Sequence, residues 1–346
     1  MTQPLVSVIV PTLNEAENLR GLLPALQSQD VDFEFEVIVI DSGSTDATLA
    51  VCEEFGVRVL EIEKGTFNHG RTRQEAAREA RGAILVFTVG DALPVDGSWL
   101  ARLVAPLREN EGVAGCYGVQ LGPDEPLVNP LEKERSLDEE IAMIVAAGPH
   151  GKHEPETGRV YKKLAEGQRF EDLPPHEQRQ LASFDNCTSC TRRGVLLGPL
   201  PFDASTFGED FQWAAKALQH GYTVVFEPRA RVFHYHDQGF GYFFKRMWLD
   251  QKVVREVFGL PGHRSLAEVA GSWCKEVGNS WSLLKITSGL SRMARMKWFA
   301  YNLKLITANR LARYLTEAEG RPHPMGWIAD AVERRLGQHA TIRRPG

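Results

Sequence analysis

The feature that most constrains this chain is a series of short apolar, β-branched runs, each ending in a polar tip and followed by a helix-like stretch. Residues 6–10 read Val-Ser-Val-Ile-Val and pass through Pro11-Thr-Leu-Asn14 into a helical pattern over 15–27. Residues 37–40 read Val-Ile-Val-Ile and end on Asp41-Ser-Gly-Ser-Thr-Asp46, with a helix expected over 48–55. A third strand is expected over 57–62, a helix over 72–80, and a fourth strand over 84–88 that runs into Gly90-Asp91. Apolar strands alternating with helices require a parallel sheet covered on both faces. Ligands of such sheets bind in the crevice beyond the carboxyl ends of the strands. Asn14, Asp41 and Asp91 all fall at those ends, so three polar clusters are expected to converge on one site.

At 346 residues the chain exceeds one compact domain, which predicts a large α/β domain with an appended helical piece. The expected boundaries are an α/β domain over 1–255 and a basic helical region over 256–346. Within the first, 122–182 is richer in charge, Pro and Gly, with a helix candidate at 131–146 and a loop around Pro149-His-Gly-Lys-His153. It reads as a mobile insertion near the site. Order is expected again from 195, with a helix over 211–220 and a strand over 223–227. A net charge of −5 gives no general attraction to nucleic acid. No basic n-region and apolar h-region open the chain, and no run of about 18 apolar residues occurs. The expectation is a cytoplasmic protein, with contact at the inner face of the membrane as the alternative.

The five cysteines are odd in number and scattered, which favours a reducing compartment over a disulfide framework. Cys187 and Cys190 form a CxxC, but a zinc ribbon needs a second ligand pair, and a redox motif needs its own βα context. Two small residues in a tight segment is the simpler reading. Asp41 could accept hydrogen bonds from a base or ribose, or serve its own loop, and Asp46 before Ala47-Thr48 is a good helix N-cap. Asp91 could anchor a hard cation that bridges substrate phosphates, or cap a turn. Glu209 and Asp210 open a helix and could simply favour its dipole. His234 and His236, at i and i+2, point the same way on a strand, where they could bind a metal or be hydrogen-bonded.

Taken jointly, these patterns resemble the family-2 glycosyltransferases of the GT-A fold. Val6-Ser-Val-Ile-Val-Pro-Thr-Leu-Asn-Glu15 resembles the opening strand and loop of that family, and Val37-Ile-Val-Ile-Asp-Ser-Gly-Ser-Thr-Asp-Ala-Thr48 its second. Phe67-Asn-His-Gly-Arg-Thr-Arg73, Phe87-Thr-Val-Gly-Asp-Ala-Leu-Pro94, Phe207-Gly-Glu-Asp210 and Arg231-Val-Phe-His-Tyr-His236 are similar to the bacterial rhamnosyltransferase branch. The resemblance covers about 5–255. It implies a Rossmann-like, mostly parallel sheet flanked by helices, with a helical C-terminal extension. Pro11, Thr12, Asn14, Glu15, Asp41 and Gly90 would line the donor pocket, with Arg73 near base or phosphate. Asp91 matches the last acid of an Asp-x-Asp metal motif whose first position is Val89 here. His234, with His236 as the weaker candidate, matches an imidazole offered to the metal, Mn2+ or Mg2+. Asp210 matches the catalytic base of an inverting displacement, and Asn186 and Glu209 would border the acceptor.

The implied activity is transfer of rhamnose from a thymidine-diphosphate donor to a hydroxyl of a glycan or lipid-linked glycan in cell-surface polysaccharide synthesis. The alternatives are a hexosyltransferase using a UDP- or GDP-sugar, or a non-catalytic nucleotide-sugar-binding scaffold. The absence of GxGxxG at the first βα turn and of GxxxxGK[ST] anywhere argues against a dinucleotide enzyme or kinase. In the tail, 281–313 carries Lys285, Arg292, Arg295, Lys297, Lys304, Arg310 and Arg313 and no acidic residue. Leu283, Ile286, Leu290 and Met293, then Met296, Phe299, Leu303 and Ile306, recur at helical spacing. Such a stripe either packs on the rest of the protein or meets anionic lipid.

Overall fold

The computed structural model describes residues 3–122, 150–205, 207–235, 239–318 and 326–336. The described residues gather into two compact units, one over 3–121 and 150–234, the other over Gly122 and the residues from Tyr235 onward. The helix candidate at 131–146 lies outside the described residues.

The first unit is built on one sheet. Strands β1 (Val6–Thr12), β2 (Phe35–Asp41), β3 (Arg58–Glu61) and β4 (Ile84–Thr88) alternate with helices α1 (Ala16–Gln27), α2 (Thr48–Glu54) and α3 (His69–Glu79), within a few residues of the expected bounds. The short β5 (Leu93–Pro94), α4 (Trp99–Glu109) and β6 (Val113–Leu121) follow, then β7 (Gly151–His153) and β8 (Val160–Lys162). The unit continues with α5 (Pro175–Leu181), β9 (Thr188–Arg192), α6 (Arg193–Leu196), α7 (Glu209–Gln219) and β10 (Thr223–Phe233). The strand order is β3-β2-β1-β4-β9-β6-β10-β8-β7, with β5 pairing on β10. β1 runs parallel to β2 and β4, β2 to β3, and β6 to β10, while β9 lies antiparallel between β4 and β6.

Packing follows from the side-chain periods. Val6, Val8 and Val10 share one face of β1 and meet Leu19, Leu22, Leu23 and Leu26 of α1 with Trp99, Leu100, Leu103, Val104 and Leu107 of α4. These helical residues recur at three and four, so each helix has one apolar stripe for the sheet. An aromatic chain runs from Phe87 through Phe202, Trp213 and Phe184 to Tyr117 and Phe226.

β9 departs from the sequence expectation, because its Thr-Ser-Cys-Thr run carries no apolar signal although it is buried. Internal hydrogen bonds make this burial possible. Trp99 Nε1 donates to Thr188 Oγ1 at 2.9 Å, Ser189 Oγ to Asn186 Oδ1 at 2.8 Å, and Thr88 Oγ1 to the Cys187 carbonyl at 3.0 Å. Cys190 of the CxxC lies on this strand and directs its thiol to the Leu103 carbonyl.

The second unit contains α8 (Phe240–Phe258), α9 (Leu266–Ile286), α10 (Arg292–Ala318) and α11 (Gly326–Leu336). Its core joins Trp248 of α8 to Ala312, Tyr314, Leu315 and Ala318 of α10. The stretch 240–255, expected at the end of the α/β domain, therefore packs with the tail helices.

The β7–β8 hairpin is tied to the sheet by charge. Arg159 Nε donates to Glu227 Oε2 at 2.6 Å and its Nη1 to Glu109, while Arg229 also bonds Glu227. Burial pushes the Glu227 carboxyl up, but hydrogen bonds from Arg229 and Arg159 outweigh it and hold the group below the usual glutamate range. Removing one member leaves a buried charge uncompensated, so Glu227→Gln should cost about 3–5 kcal/mol in a urea titration. A lowered folded pKa means that the stabilisation is present above the ordinary glutamate value and lost as pH falls through the folded one. The gap between wild type and variant should therefore close on acidification.

Candidate functional site

The loops after β1 and β2 interlock. Thr12 and Asp41 are register partners at the ends of these strands, and Asp41 is fully buried. Its Oδ1 accepts from Thr12 Oγ1 at 3.2 Å and Ser44 Oγ at 2.5 Å, and its Oδ2 from the Gly43 and Ser44 amides at 2.9 and 2.8 Å. Four donors fill the acceptor directions of one carboxylate. Asp41 thus shapes its own loop, which spaces the groups around it. Asn14 adopts a left-handed backbone, φ 58°, a conformation that Asn tolerates better than most residues. Its Oδ1 accepts from the Thr45 amide at 2.8 Å, and its own amide donates to Ser44 Oγ at 2.8 Å. Ala47, not the expected Asp46, holds the cap position of α2; Asp46, one residue ahead, accepts from the Thr48 amide at 3.0 Å and from the Ala16 amide at 3.1 Å and so ties the heads of α2 and α1 together. Pro11 and Thr12 are buried beneath, and Asn14 is exposed.

A second cluster joins three strand ends. Gly90 admits the Glu15 side chain, since a Cβ there would lie 2.8 Å from Glu15 Cγ. Burial pushes the Glu15 carboxyl up, and the nearby Asp91 adds to this, against a hydrogen bond from Asn18 and the influence of His234. His234 Nε2 lies 3.5 Å from Asp91 Oδ1. On its other side His234 Nδ1 meets Gln120 Oε1 at 2.5 Å, and Gln120 Nε2 donates to Asp185 Oδ2. The carboxylate can only accept, which orients the amide and presents its oxygen to the ring. Nδ1 therefore donates to Gln120, and Nε2 faces Asp91 Oδ1.

The third cluster surrounds the head of α7. Arg73 of α3 meets Glu209 Oε1 at 3.0 Å, Asn186 Nδ2 donates to the same oxygen at 3.0 Å, and Ser189 holds Asn186. Gly208 precedes in a left-handed conformation, φ 73°, with the Phe211 ring 2.3 Å from where a Cβ would stand. No other residue fits there, and the tight turn sets Asp210 beside Glu209. Burial first, then the charges of Glu209 and Asp185, push the Asp210 carboxyl up to about 8, against the Phe211 amide and Arg73.

The structure therefore gathers the sequence candidates at the carboxyl ends of the sheet. Asp46, Asp91 and His234 all act on Glu15, and Asp185 links the Gln120–His234 pair to Asp210. His236 lies outside the described residues. Arg73 and Glu209 face each other within the protein. Gln120 and Asp185 were not singled out from the sequence; Gln120 is followed on β6 by the apolar Leu121, so no polar strand tip marks it. Among the described residues no three His, Cys, Asp or Glu side chains group as a metal site. Asp91 with His234 nevertheless fits a hard cation that takes its remaining ligands from phosphate and water: an oxygen and an imidazole nitrogen face each other, with the ring fixed from behind.

Residues 7–169, just under half of the chain, match the model of glycosyl transferase family 2, in keeping with the resemblance carried by the strand-end motifs. It is similar to the glycosyltransferase AglE of Haloferax volcanii, 37% identical over 114 residues, covering 31% of this chain and 36% of that protein. It is also similar to the O-antigen chain rhamnosyltransferase RfbN of Salmonella typhimurium, 27% identical over 236 residues and 67% of each chain. The uncharacterized glycosyltransferase YfnE of Bacillus subtilis is 43% identical over 113 residues, 32% of this chain and 29% of that protein. The alignments thus span about a third or less of AglE and YfnE. Among solved structures, the mannosyltransferase PcManGT of Pyrobaculum calidifontis, in complex with GDP-Man and Mn2+, superposes with a TM-score of 0.52 at 18% identity. That superposition covers 98% of this chain and 81% of that one. The fold is GT-A, a mostly parallel mixed sheet flanked by helices with a helical C-terminal part.

The Asp41 geometry makes a prediction independent of catalysis. Two hydrogen bonds to a charged carboxylate are worth about 1.5–3 kcal/mol each. Asp41→Ala should therefore speed hydrogen exchange at the Gly43 and Ser44 amides at least about tenfold and weaken binding of a free nucleoside diphosphate. Unchanged exchange would remove Asp41 as the anchor of this loop.

Proposed function

We propose that this chain is an inverting, metal-dependent glycosyltransferase that moves a sugar from a nucleoside-diphosphate donor to a hydroxyl of a glycan or lipid-linked glycan. The reading carries rhamnose from a thymidine-diphosphate donor in cell-surface polysaccharide synthesis, on the cytoplasmic side of the membrane. One observation carries it: the polar contacts Asp91–His234–Gln120–Asp185 lead from the strand-end loops to a carboxylate whose charge acts on the base candidate Asp210. The similarity to RfbN over two thirds of both chains supports the rhamnosyl reading. GDP-Man and Mn2+ in the complex of PcManGT favour the second reading, a hexosyltransferase with a UDP- or GDP-sugar.

In this proposal the loops of Pro11, Thr12, Asn14, Glu15 and Asp41 hold the nucleoside, with Gly90 opening space for Glu15. Asp91 and His234, with His236 as a further candidate, would hold the divalent cation, which when bound offsets charge developing on the departing diphosphate. The acceptor hydroxyl attacks the anomeric carbon, the bond to phosphate oxygen breaks, and the hydroxyl proton passes to the Asp210 carboxylate. One displacement inverts the centre. Arg73 and Asn186 hold Glu209 at the head of α7, next to the base and at the edge of the acceptor space.

Asp210→Asn should lower kcat about a hundred- to ten-thousand-fold while donor affinity stays within a few-fold. Because the base must be deprotonated and its carboxyl is pushed up to about 8, wild-type kcat/KM for the acceptor should rise as pH increases through that value. Near-normal turnover of Asp210→Asn sinks the assignment. A panel of dTDP-, UDP- and GDP-sugars tested for thermal stabilisation, together with donor hydrolysis with and without Mn2+, separates the two donor readings and a non-catalytic scaffold.

The metal reading is tested by Mn2+ titration in the presence of nucleoside diphosphate. Asp91→Ala and His234→Ala should each weaken Mn2+, and His236→Ala less than His234→Ala. Gln120→Leu should cost about ten- to a hundredfold by releasing the ring from behind. Gln120→Glu, which still accepts from Nδ1, should recover part of that loss. Equal affinity in wild type and Gln120→Leu would leave Gln120 without a part in the site.

A further inference from the structure

In the second unit, α9 and α10 form a helical hairpin whose tip is apolar and open to water. Within about a turn of the bend, Leu283, Ile286, Met293 and Met296 are 44%, 78%, 80% and 52% exposed. Single exposed apolar residues are ordinary, but four at one tip are not. The bend itself is well formed. Thr287 closes α9 on the Leu283 carbonyl, Ser291 Oγ accepts from the Ala294 amide, and Arg295 Nε donates to the Leu284 carbonyl at 3.0 Å. The face these helices bury is not the stripe read from the sequence: Leu284, Trp298 and Leu305 are buried, whereas the stripe residues Leu283, Ile286, Met293 and Met296 are exposed. Along α10 the tip stands about 30 Å from the core around Leu315.

The charge around this tip has one sign. Lys285, Arg292 and Lys297 are exposed beside it, and 277–316 contains no Asp or Glu. Trp281 stacks edge-on against Phe299 and lies under Lys285, and Lys297 lies over Trp298. Amphipathic rings paired with ammonium groups just behind an apolar tip suit the boundary between headgroups and acyl chains. No helix among the described residues is long and apolar enough to cross a membrane, so the device fits surface insertion. Two such tips would repel one another, which favours an anionic surface over a second copy of this chain.

We propose that the α9–α10 tip inserts Leu283, Ile286, Met293 and Met296 into an anionic lipid surface, with Lys285, Arg292 and Lys297 at the headgroups. Arg295 is excluded from the lipid set because it caps α9. The inference does not depend on the proposed reaction, and its test needs neither donor nor acceptor. The full chain is sedimented with phosphatidylcholine vesicles with and without phosphatidylglycerol, at low and high salt. Binding should require phosphatidylglycerol and fall with salt. Lys285→Gln, Arg292→Gln and Lys297→Gln together should lower partitioning on the order of a hundredfold. Ile286→Ser with Met293→Ser, which keeps every charge, should lower it at least about tenfold. Thermal unfolding of both variants should match wild type, since all five side chains are exposed. Failure to sediment with phosphatidylglycerol vesicles at low salt overturns the proposal, as does binding indifferent to the Ile286/Met293 change. Self-association without lipid that the same change abolishes would assign the tip to a second copy instead.

Discussion

The buried contact of Arg73 with Glu209 is the interaction on which the proposed catalytic geometry depends. It spans 136 positions of sequence and ties α3, from the first half of the sheet, to the helix that bears Asp210. Burying two charges is costly unless geometry and further hydrogen bonds compensate. Asn186 supplies one such bond to the same Glu209 oxygen, and Ser189 holds Asn186 in turn. Both Asn186 and Ser189 belong to the segment entering β9. The antiparallel strand of small polar residues thus links β4 and α3 to the head of α7.

The loops after β1 and β2 obey a different logic, in which charge is used up locally. Asp41 spends its acceptor capacity on Thr12, Gly43 and Ser44, while Asn14 and Asp46 lace the first two loops together. A loop held this way loses little freedom when a ligand arrives, which favours binding through preorganisation. The identity of Asp41 is then explained twice over, by the loop it shapes and by its place at the carboxyl end of a central strand.

Much of this was legible in the sequence because period and punctuation coincide. The apolar runs at 6–10, 37–40 and 84–88 became β1, β2 and β4, and the polar tips Asn14, Asp41 and Asp91 lie in or at the loops at the carboxyl ends of these strands. What was not legible lacked either signal. β9 is buried by hydrogen bonding rather than by apolar side chains, so its composition resembles a loop. The β7–β8 hairpin sits in a charged stretch, and its order depends on Arg159 meeting Glu227 from a distant strand. Gln120 carries no chemistry of its own and becomes meaningful only when β6 brings it between His234 and Asp185. The family model ends at 169, so the pairing of Asp91 with His234 rests on geometry beyond the matched segment.

The position of Val89 shows how these observations fit together. A metal site with two adjacent acids would hold a cation with strong charge of its own. Here one carboxylate faces one imidazole, and Glu15, pushed up by burial and by Asp91, adds charge only when it ionises. A pair that weak suits a hard cation arriving with the diphosphate, whose oxygens supply most of its ligands. The ring must then be correctly oriented before either arrives, because two protein ligands leave no redundancy. Gln120, held between Asp185 and His234, is placed to give that orientation, and in the proposed site a side chain with no titratable group would compensate for the missing acid.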